Sequence, residues 1–361
     1  MTLDTHEQFP LLNRCTYVNT PGTGILSKDV LDWRRKHDEA YFRNGSSFRI
    51  NQEDFLKGVR ENLASLFQAD ADYTFLVPNF SFGMNTFLDG LASSERFLLL
   101  EGDYPSVNYA VKSRGFKVET VEVDENLEDR ILIKISEFKP TVFAFSLVQY
   151  ISGIKLNFEF IKKLKAEYPE LLLIADGTQY CGTERFDFKN SGLDFLGASG
   201  YKWMLSGYGN GFVFLRGRIA DRLYRLASGQ ELPTEPFLRG RTHLSLYFEP
   251  GHQDTLTFGT LAQSVAYFNQ IGMQTIENRI RTLSVQAFAA FSDRGLLANS
   301  VIKRPIHSSI FSLSIDDTVH KRLQEANVVC IRRGSGVRVG FHFFNTVDDL
   351  NKILDILDQS I

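Results

Sequence analysis

The chain has 361 residues, 43% of them hydrophobic, and a formal net charge of −3. That length suffices for a large domain plus a smaller one, and the weakly acidic balance excludes a surface built for nucleic acid. No apolar run approaches the roughly 18 residues of a membrane span. Cys15, Cys181 and Cys330 are too scattered for a disulfide framework or a metal-ligand set, which fits a reducing cytoplasm.

The N-terminus, MTLDTHEQFPLLNRC, lacks the basic-then-apolar order of a secretory signal. Helical spacing over Glu53–Phe67 leads to a strand-like Thr74–Val77. A helix over Phe82–Leu91 precedes the strand Arg96–Leu100, and Ser106–Ser113 precedes Lys117–Val123. The strand Val142–Ser146 is followed by a helix over Phe158–Glu167. Three more strand-like runs close the series: Leu171–Ala175, Phe195–Ser199 and Gly211–Leu215. This alternation predicts an α/β sheet of mostly parallel strands between helices. Residues 227–258 have weak periodicity and read as a loop-rich excursion. A long amphipathic helix is expected to start near Thr260. Strand and helix patterns return after it and end in a helix over Thr346–Gln359. The expected organisation is a large domain over 16–258 and a small α+β domain over 259–361, with residues 1–15 packing on the latter.

The most informative stretch runs from Leu171 to Gly211. The apolar run Leu171-Leu172-Leu173-Ile174 ends at Asp176, with Gln179 three residues on. A second run, Leu193 to Leu196, leads into Ser199-Gly200-Tyr201-Lys202. Parallel neighbouring strands would bring this carboxylate and this lysine to one sheet edge. Asp176 alone could cap a turn. Lys202, set among Tyr201, Trp203, Met204 and Leu205, is either snorkelling or desolvated, and desolvation would make its amine a nucleophile. The pair is what pyridoxal 5'-phosphate (PLP) chemistry needs: an amine to form a Schiff base, and an acid to keep the pyridine nitrogen protonated. No G-x-G-x-x-G follows the early strands, so a nicotinamide or flavin site of that kind is not indicated.

These residues resemble the class V aminotransferase family of fold-type I PLP-dependent enzymes, which includes cysteine desulfurases, kynureninases and isopenicillin N epimerase-like proteins. The resemblance covers nearly the whole chain. It implies a mostly parallel seven-stranded sheet, with Asp176 at the pyridine nitrogen, Gln179 near the phenolic oxygen, Ser199 at the phosphate and Lys202 as the Schiff-base lysine. Tyr201 replaces the usual His, as in kynureninase-like sequences. In Pro78-Asn79-Phe80-Ser81-Phe82-Gly83, Phe80 and Ser81 take the phosphate positions, at a strand-to-helix turn suited to anions. In Glu101-Gly102-Asp103-Tyr104-Pro105-Ser106, Tyr104 takes the place of the ring that stacks on the cofactor. Tyr150, near Gln149 and Ser152-Gly153, stands where desulfurases carry Asn.

The resemblance extends to the substrate. Arg338, in Gly336-Val337-Arg338-Val339-Gly340 before Phe343-Phe344-Asn345-Thr346, matches the arginine that clamps an α-carboxylate with its planar fork. Asn19, in Tyr17-Val18-Asn19-Thr20-Pro21-Gly22, falls in the family's N-terminal pocket segment. Thr260, in Phe258-Gly259-Thr260, matches a residue that reaches the cofactor phosphate of a partner subunit, implying a homodimer with a shared site. The desulfurases carry a nucleophilic Cys on a mobile loop before the carboxylate arginine. Here only Arg332 or Arg333, then Gly334 to Val337, fill that gap, and Cys330 lies earlier in an apolar run. The expected enzyme is therefore aminotransferase-like, acting on a small amino acid or amine. A lyase or epimerase of the same family is the alternative, with a cysteine desulfurase or an idle PLP-fold binding module further behind.

Overall fold

The structure is a computed structural model that describes residues 5–359, apart from residues 50, 236, 237 and 239. Its centre is a seven-stranded sheet of β1 (Thr74–Val77), β2 (Arg96–Leu100), β3 (Lys117–Val121), β4 (Val142–Ser146), β5 (Leu172–Asp176), β6 (Phe195–Ser199) and β7 (Gly211–Leu215). The strands lie in the order β1-β7-β6-β5-β4-β2-β3. β7 runs antiparallel to β6 and β1, and the other pairings are parallel. β4 to β7 are buried along their whole length, which is why they read as continuous apolar runs rather than alternating ones. β3, at the edge, alternates instead and carries Lys117 and Glu119 outward.

Helices cover the sheet: α1 (Lys28–Asn44), α2 (Gln52–Phe67), α3 (Phe80–Asp89), α4 (Pro105–Lys112), α5 (Leu127–Phe138), α6 (Phe158–Glu167), α7 (Thr255–Ile271) and α8 (Met273–Asp293). Two departures from the sequence reading bear on the site. α3 starts at Phe80, two residues earlier than expected, because the Asn79 side chain caps it by accepting from Phe82 N at 2.9 Å. α7 starts at Thr255, with Asp254 as its cap, so Thr260 sits in the second turn rather than at the beginning. Gly259 lets α7 approach its neighbours closely: a Cβ there would collide with Trp33 of α1 and come within 2.9 Å of Phe55 of α2.

The excursion over 227–258 is irregular at first but ends in a six-residue helix, His243–Phe248, closed by a Thr242–Ser245 capping box. Phe248 stacks on Phe75 at 4.8 Å. The buried Glu249 carboxylate pairs with Arg60 at 3.1 Å and Arg241 at 3.0 Å and accepts from Leu76 N. The returning end of the excursion is thereby fixed to β1, a tertiary anchor with no local periodicity to reveal it.

A second, antiparallel sheet holds β8 (Ile310–Leu313), β9 (Ile331–Arg333) and β10 (Gly336–Gly340) in the order β9-β10-β8. α9 (Asp317–Glu325) and α10 (Val347–Asp358) pack there around Phe311, Leu323, Val337, Leu350 and Ile353. The start of the chain joins this region. Thr16–Tyr17 pairs in parallel with Val328–Val329, Asn19 bridges to Gly340, and Phe9 packs against Phe343 and Phe344. No helix among the described residues is long and apolar enough to cross a membrane.

Candidate active site

The parallel strands β2, β4, β5 and β6 all point their carboxyl ends the same way, the edge at which open α/β sheets bind ligands. A cavity of about 350 Å³ opens there. It is lined by Phe80, Ser81, Tyr104, Tyr150, Asp176, Gln179, Ser199 and Lys202 among others, so eight of the residues singled out in the sequence come together. Asn19, Thr260 and Arg338 are not on that lining.

Lys202 follows β6 through a turn that Gly200 makes possible, since a Cβ on Gly200 would collide with the side chains of Asn210 and Ser206. The lysine is 6% exposed. Its Nζ lies 5.4 Å from the Tyr104 ring centroid and 5.5 Å from that of Tyr201, and it forms no ion pair among the described residues. Burial lowers the pKa of the amine. The charge of Asp176 opposes that shift, while Arg338 and Arg333 add to it. Asp176, the last residue of β5, is buried and accepts from Thr178 N at 2.8 Å. Desolvation raises its carboxyl, against the pull of the Thr178 hydrogen bonds and of Lys202.

At the other end of the cavity the Ser199 hydroxyl accepts from Phe80 N at 2.9 Å, at the amino end of α3. Gly197 on β6 permits this contact, because a Cβ there would lie 2.9 Å from the Phe80 ring. The Phe80, Phe82 and Gly83 N–H groups there already donate to Ser199 and Asn79, so the helix dipole, the Ser81 N–H and the Ser199 hydroxyl form the anion cradle. Ser81 Oγ and Ser106 Oγ lie 2.6 Å apart beside it. The Gln179 amide is held at both ends: it donates to Pro21 O at 2.9 Å and accepts from the Trp203 indole at 2.7 Å. Tyr104 and Tyr150 meet edge to face at 5.2 Å.

Several members of the site carry no local sequence signal. Asp103 accepts from Ser146 N, Ser146 Oγ and Tyr104 N, and so ties the end of β4 to Tyr104. Thr178 Oγ1 accepts from Ser199 N at 3.1 Å. Tyr208 stacks on Tyr201 at 4.8 Å and shares a hydrogen bond with Thr23. His342 lies fully buried behind Trp203: its Nε2–H donates to Trp203 O at 2.9 Å, and its Nδ1 accepts from Phe343 N at 2.7 Å. That pair of partners fixes a neutral ring, and burial lowers its pKa from 6.5 to about 3. The unfolded chain therefore takes up a proton as pH falls below 6.5, while the folded chain does not until about pH 3. Stability present above that window should be lost through it, by up to about 1.4 kcal/mol per pH unit. His342→Gln should flatten the fall of thermal midpoint with pH across the window, and equal slopes in the two proteins would refute this assignment.

Arg338, on β10, is only 2% exposed. Its Nη1 donates to Tyr150 O at 2.6 Å, its Nε has no partner, and no carboxylate pairs with it among the described residues. Burial and then the charge of Arg333 lower it to about 10. Asn19 Oδ1 is likewise buried without a partner. Thr260 is buried in α7; its hydroxyl donates to Leu256 O and accepts from Arg34 Nη1. Between Arg333 and Gly336 the chain makes a two-residue turn, Gly334-Ser335, with Gly334 at φ +59°. Cys330 lies before it, buried in the core of the small sheet with its thiol raised to about 11 by desolvation.

Residues 16–353 match the aminotransferase class-V family. The chain belongs to that family. Its relatives include an uncharacterized aminotransferase, YcbU, of Bacillus subtilis, 20% identical over 96% of this chain and 95% of the relative. A probable cysteine desulfurase of Methanothermobacter thermautotrophicus is 22% identical over 99% of this chain and 98% of its own. Among solved structures, the apo cysteine desulfurase of Thermococcus onnurineus NA1 superposes with a TM-score of 0.85 at 18% identity, covering 100% of this chain and 98% of that one. A mutant of C-DES with glycine covalently linked to its PLP cofactor gives 0.85 at 18% identity, covering 97% and 98%. The class-V family is PLP-dependent, and this member is accordingly a PLP-dependent enzyme on the fold-type I architecture expected from its sequence.

Proposed function

We propose that this class-V enzyme is aminotransferase-like and acts on a small amino acid or amine, with Lys202 as the lysine that carries the cofactor. The observation that supports this most is the Lys202 amine, buried between two tyrosine rings, opposite a buried carboxylate and without an ion-pair partner. The donor set suits PLP. The Ser199 hydroxyl and the Ser81 N–H would hold the phosphate, with the Phe80 N–H bracing Ser199. Asp176 would meet the pyridine nitrogen, and Tyr104 a ring face, with Gln179 and Tyr150 beside it. When bound, the cofactor supplies an electron sink for bonds at the substrate carbon that bears nitrogen.

The chain's own groups do the rest. Burial brings the Lys202 amine down from 10.5 to about 8, so Nζ can accept a proton from that carbon and return it more readily than an ordinary lysine. Asp176 holds the pyridine nitrogen protonated. Arg338 offers its fork to the α-carboxylate, with Asn19 nearby through its bridge to Gly340. We place the protein in a homodimer in which Thr260 serves the neighbouring site; the exposed Leu31, Tyr41 and Phe42 of α1 provide apolar surface for such a partner. The cytoplasm is the compartment we assign, consistent with three unpaired thiols.

Transfer is favoured over persulfide chemistry because the Gly334-Ser335 turn carries no Cys and Cys330 is buried away from the cavity. The test is an amino-acid and amine panel on PLP-loaded protein, read separately for keto acid, ammonia and sulfide. Keto acid formed only with an added 2-oxo acid acceptor is the expected result. Ammonia without an acceptor would show a lyase, and sulfide from cysteine that is lost in Cys330→Ser would show a desulfurase.

A further inference from the structure

We propose that the substrate is an α-amino acid with a second acid on a short side chain, of the aspartate or glutamate kind, and that Arg333 receives that second acid. This builds on the assignment of Arg338 to the α-carboxylate. In an antiparallel pair, residues opposite each other project from the same face. β9 and β10 pair Ile331 with Arg338 and Arg333 with Gly336. Ile331, Arg333 and Arg338 therefore share one face, with the two arginines as diagonal neighbours, roughly 7–8 Å apart at their bases. Two guanidinium groups on arms of that length can converge on both carboxylates of one small diacid.

Arg332 alternates to the opposite face. There it is engaged by Asp317 at 2.7 Å and by Ile315 O at 3.2 Å. Arg333 is exposed and forms no ion pair among the described residues. Its position is not remote from the cavity. A Cβ on the next residue, Gly334, would lie 3.2 Å from the side chain of Ile151, and Ile151 follows Tyr150, whose carbonyl holds Arg338. The charge of Arg333 is felt at both Lys202 and Arg338.

Charge balance points the same way. The cations whose charges act on one another here are Lys202, Arg338 and Arg333. The nearby carboxylates are Asp176 and Asp103, and Asp103 is already engaged by Ser146 and Tyr104. One α-carboxylate pairs with Arg338, and a second acid is free to pair with the solvent-exposed Arg333. The tyrosines at 104, 150, 201 and 208 can donate hydrogen bonds but carry no charge to offset it. A second substrate acid completes the set.

The experiment is a titration of the PLP-loaded protein with aspartate, glutamate, asparagine, glutamine and alanine, read by the change in cofactor absorbance. Wild type is compared with Arg333→Ala and Arg333→Gln, whose folding is checked by circular dichroism. In wild type, at least one of the two acids should bind about 10-fold or more tighter than its own amide, the loss typical of one charge-assisted contact. In both variants that ratio should fall to about 1 while alanine changes less than about twofold, because alanine has no side-chain acid to lose and an exposed strand-end residue contributes little to packing. Equal binding of acid and amide in wild type, or a preference that survives both substitutions, overturns this inference and leaves the Lys202 and Arg338 assignments standing. Absence of any absorbance change with all five amino acids overturns the α-carboxylate role of Arg338, and this inference with it, while Lys202 is tested separately by its reductive tag.

Discussion

Lys202→Ala is expected to cut turnover by about 10³-fold or more, because it removes both the attachment point for the cofactor and the group that moves the proton. The sequence around the lysine explains why this one amine serves. Gly200 lets the turn close over Ser206 and Asn210, and the tyrosine rings at 104 and 201 exclude water from Nζ. Burial then favours the neutral, nucleophilic form. Borohydride reduction of the PLP-loaded wild type, followed by peptide mapping, should tag Lys202. The variant should show no tag while still taking up PLP reversibly, since the anion cradle at α3 and the Asp176 carboxylate are untouched. A tag on another lysine, or near-normal turnover in the variant, sinks the assignment.

Arg338→Lys should weaken α-amino acids by about 10- to 100-fold, the range for a lost charge-assisted hydrogen bond in a buried site. The charge is kept but the fork is lost, and the shorter reach of a single ammonium changes how the substrate sits. Orientation decides which bond at the substrate carbon meets the cofactor ring, so kcat should fall together with affinity. Amines without a carboxylate should be little affected, and PLP uptake should persist. The reason to expect so large an effect is structural: the guanidinium is buried, spends one N–H on Tyr150 O and leaves Nε with no partner. A buried cation without a counter-charge is costly unless a ligand supplies one. Equal losses for amines and amino acids would make Arg338 a structural residue.

Much of this architecture is legible in the sequence because the buried strands are short, apolar and regularly spaced. Phe195–Ser199 and Gly211–Leu215 have the expected bounds, and Asp176 and Lys202 fall at one sheet edge because parallel strands align their ends. α5 carries a misleading local signal. Its Ile131-Leu132-Ile133-Lys134-Ile135 segment is rich in β-branched residues and alternates like a strand, although the buried face is Leu127, Ile131 and Ile135 at helical spacing. α1 buries only Val30, so no apolar stripe marks it in the sequence. The supporting members of the site were out of reach for a different reason. Asp103, Thr178, Tyr208 and His342 matter through partners distant in the chain, and no spacing rule reports them. Arg332 and Arg333 are indistinguishable in the sequence, and only the register of β9 on β10 assigns them to opposite faces.

The pairing of Thr16–Tyr17 with Val328–Val329, and of Asn19 with Gly340, has a consequence for how the enzyme is made. A ribosome releases the first of these partners some three hundred residues before the second, at about 5–20 residues per second. The central sheet, with Lys202 and the α3 cradle, can assemble while synthesis continues. The N-terminal segment must wait for the last strands, and Arg338 emerges with them. A nascent chain can thus acquire its cofactor-holding half before its substrate-holding half, and selectivity for the amino acid is the last property of the molecule to form.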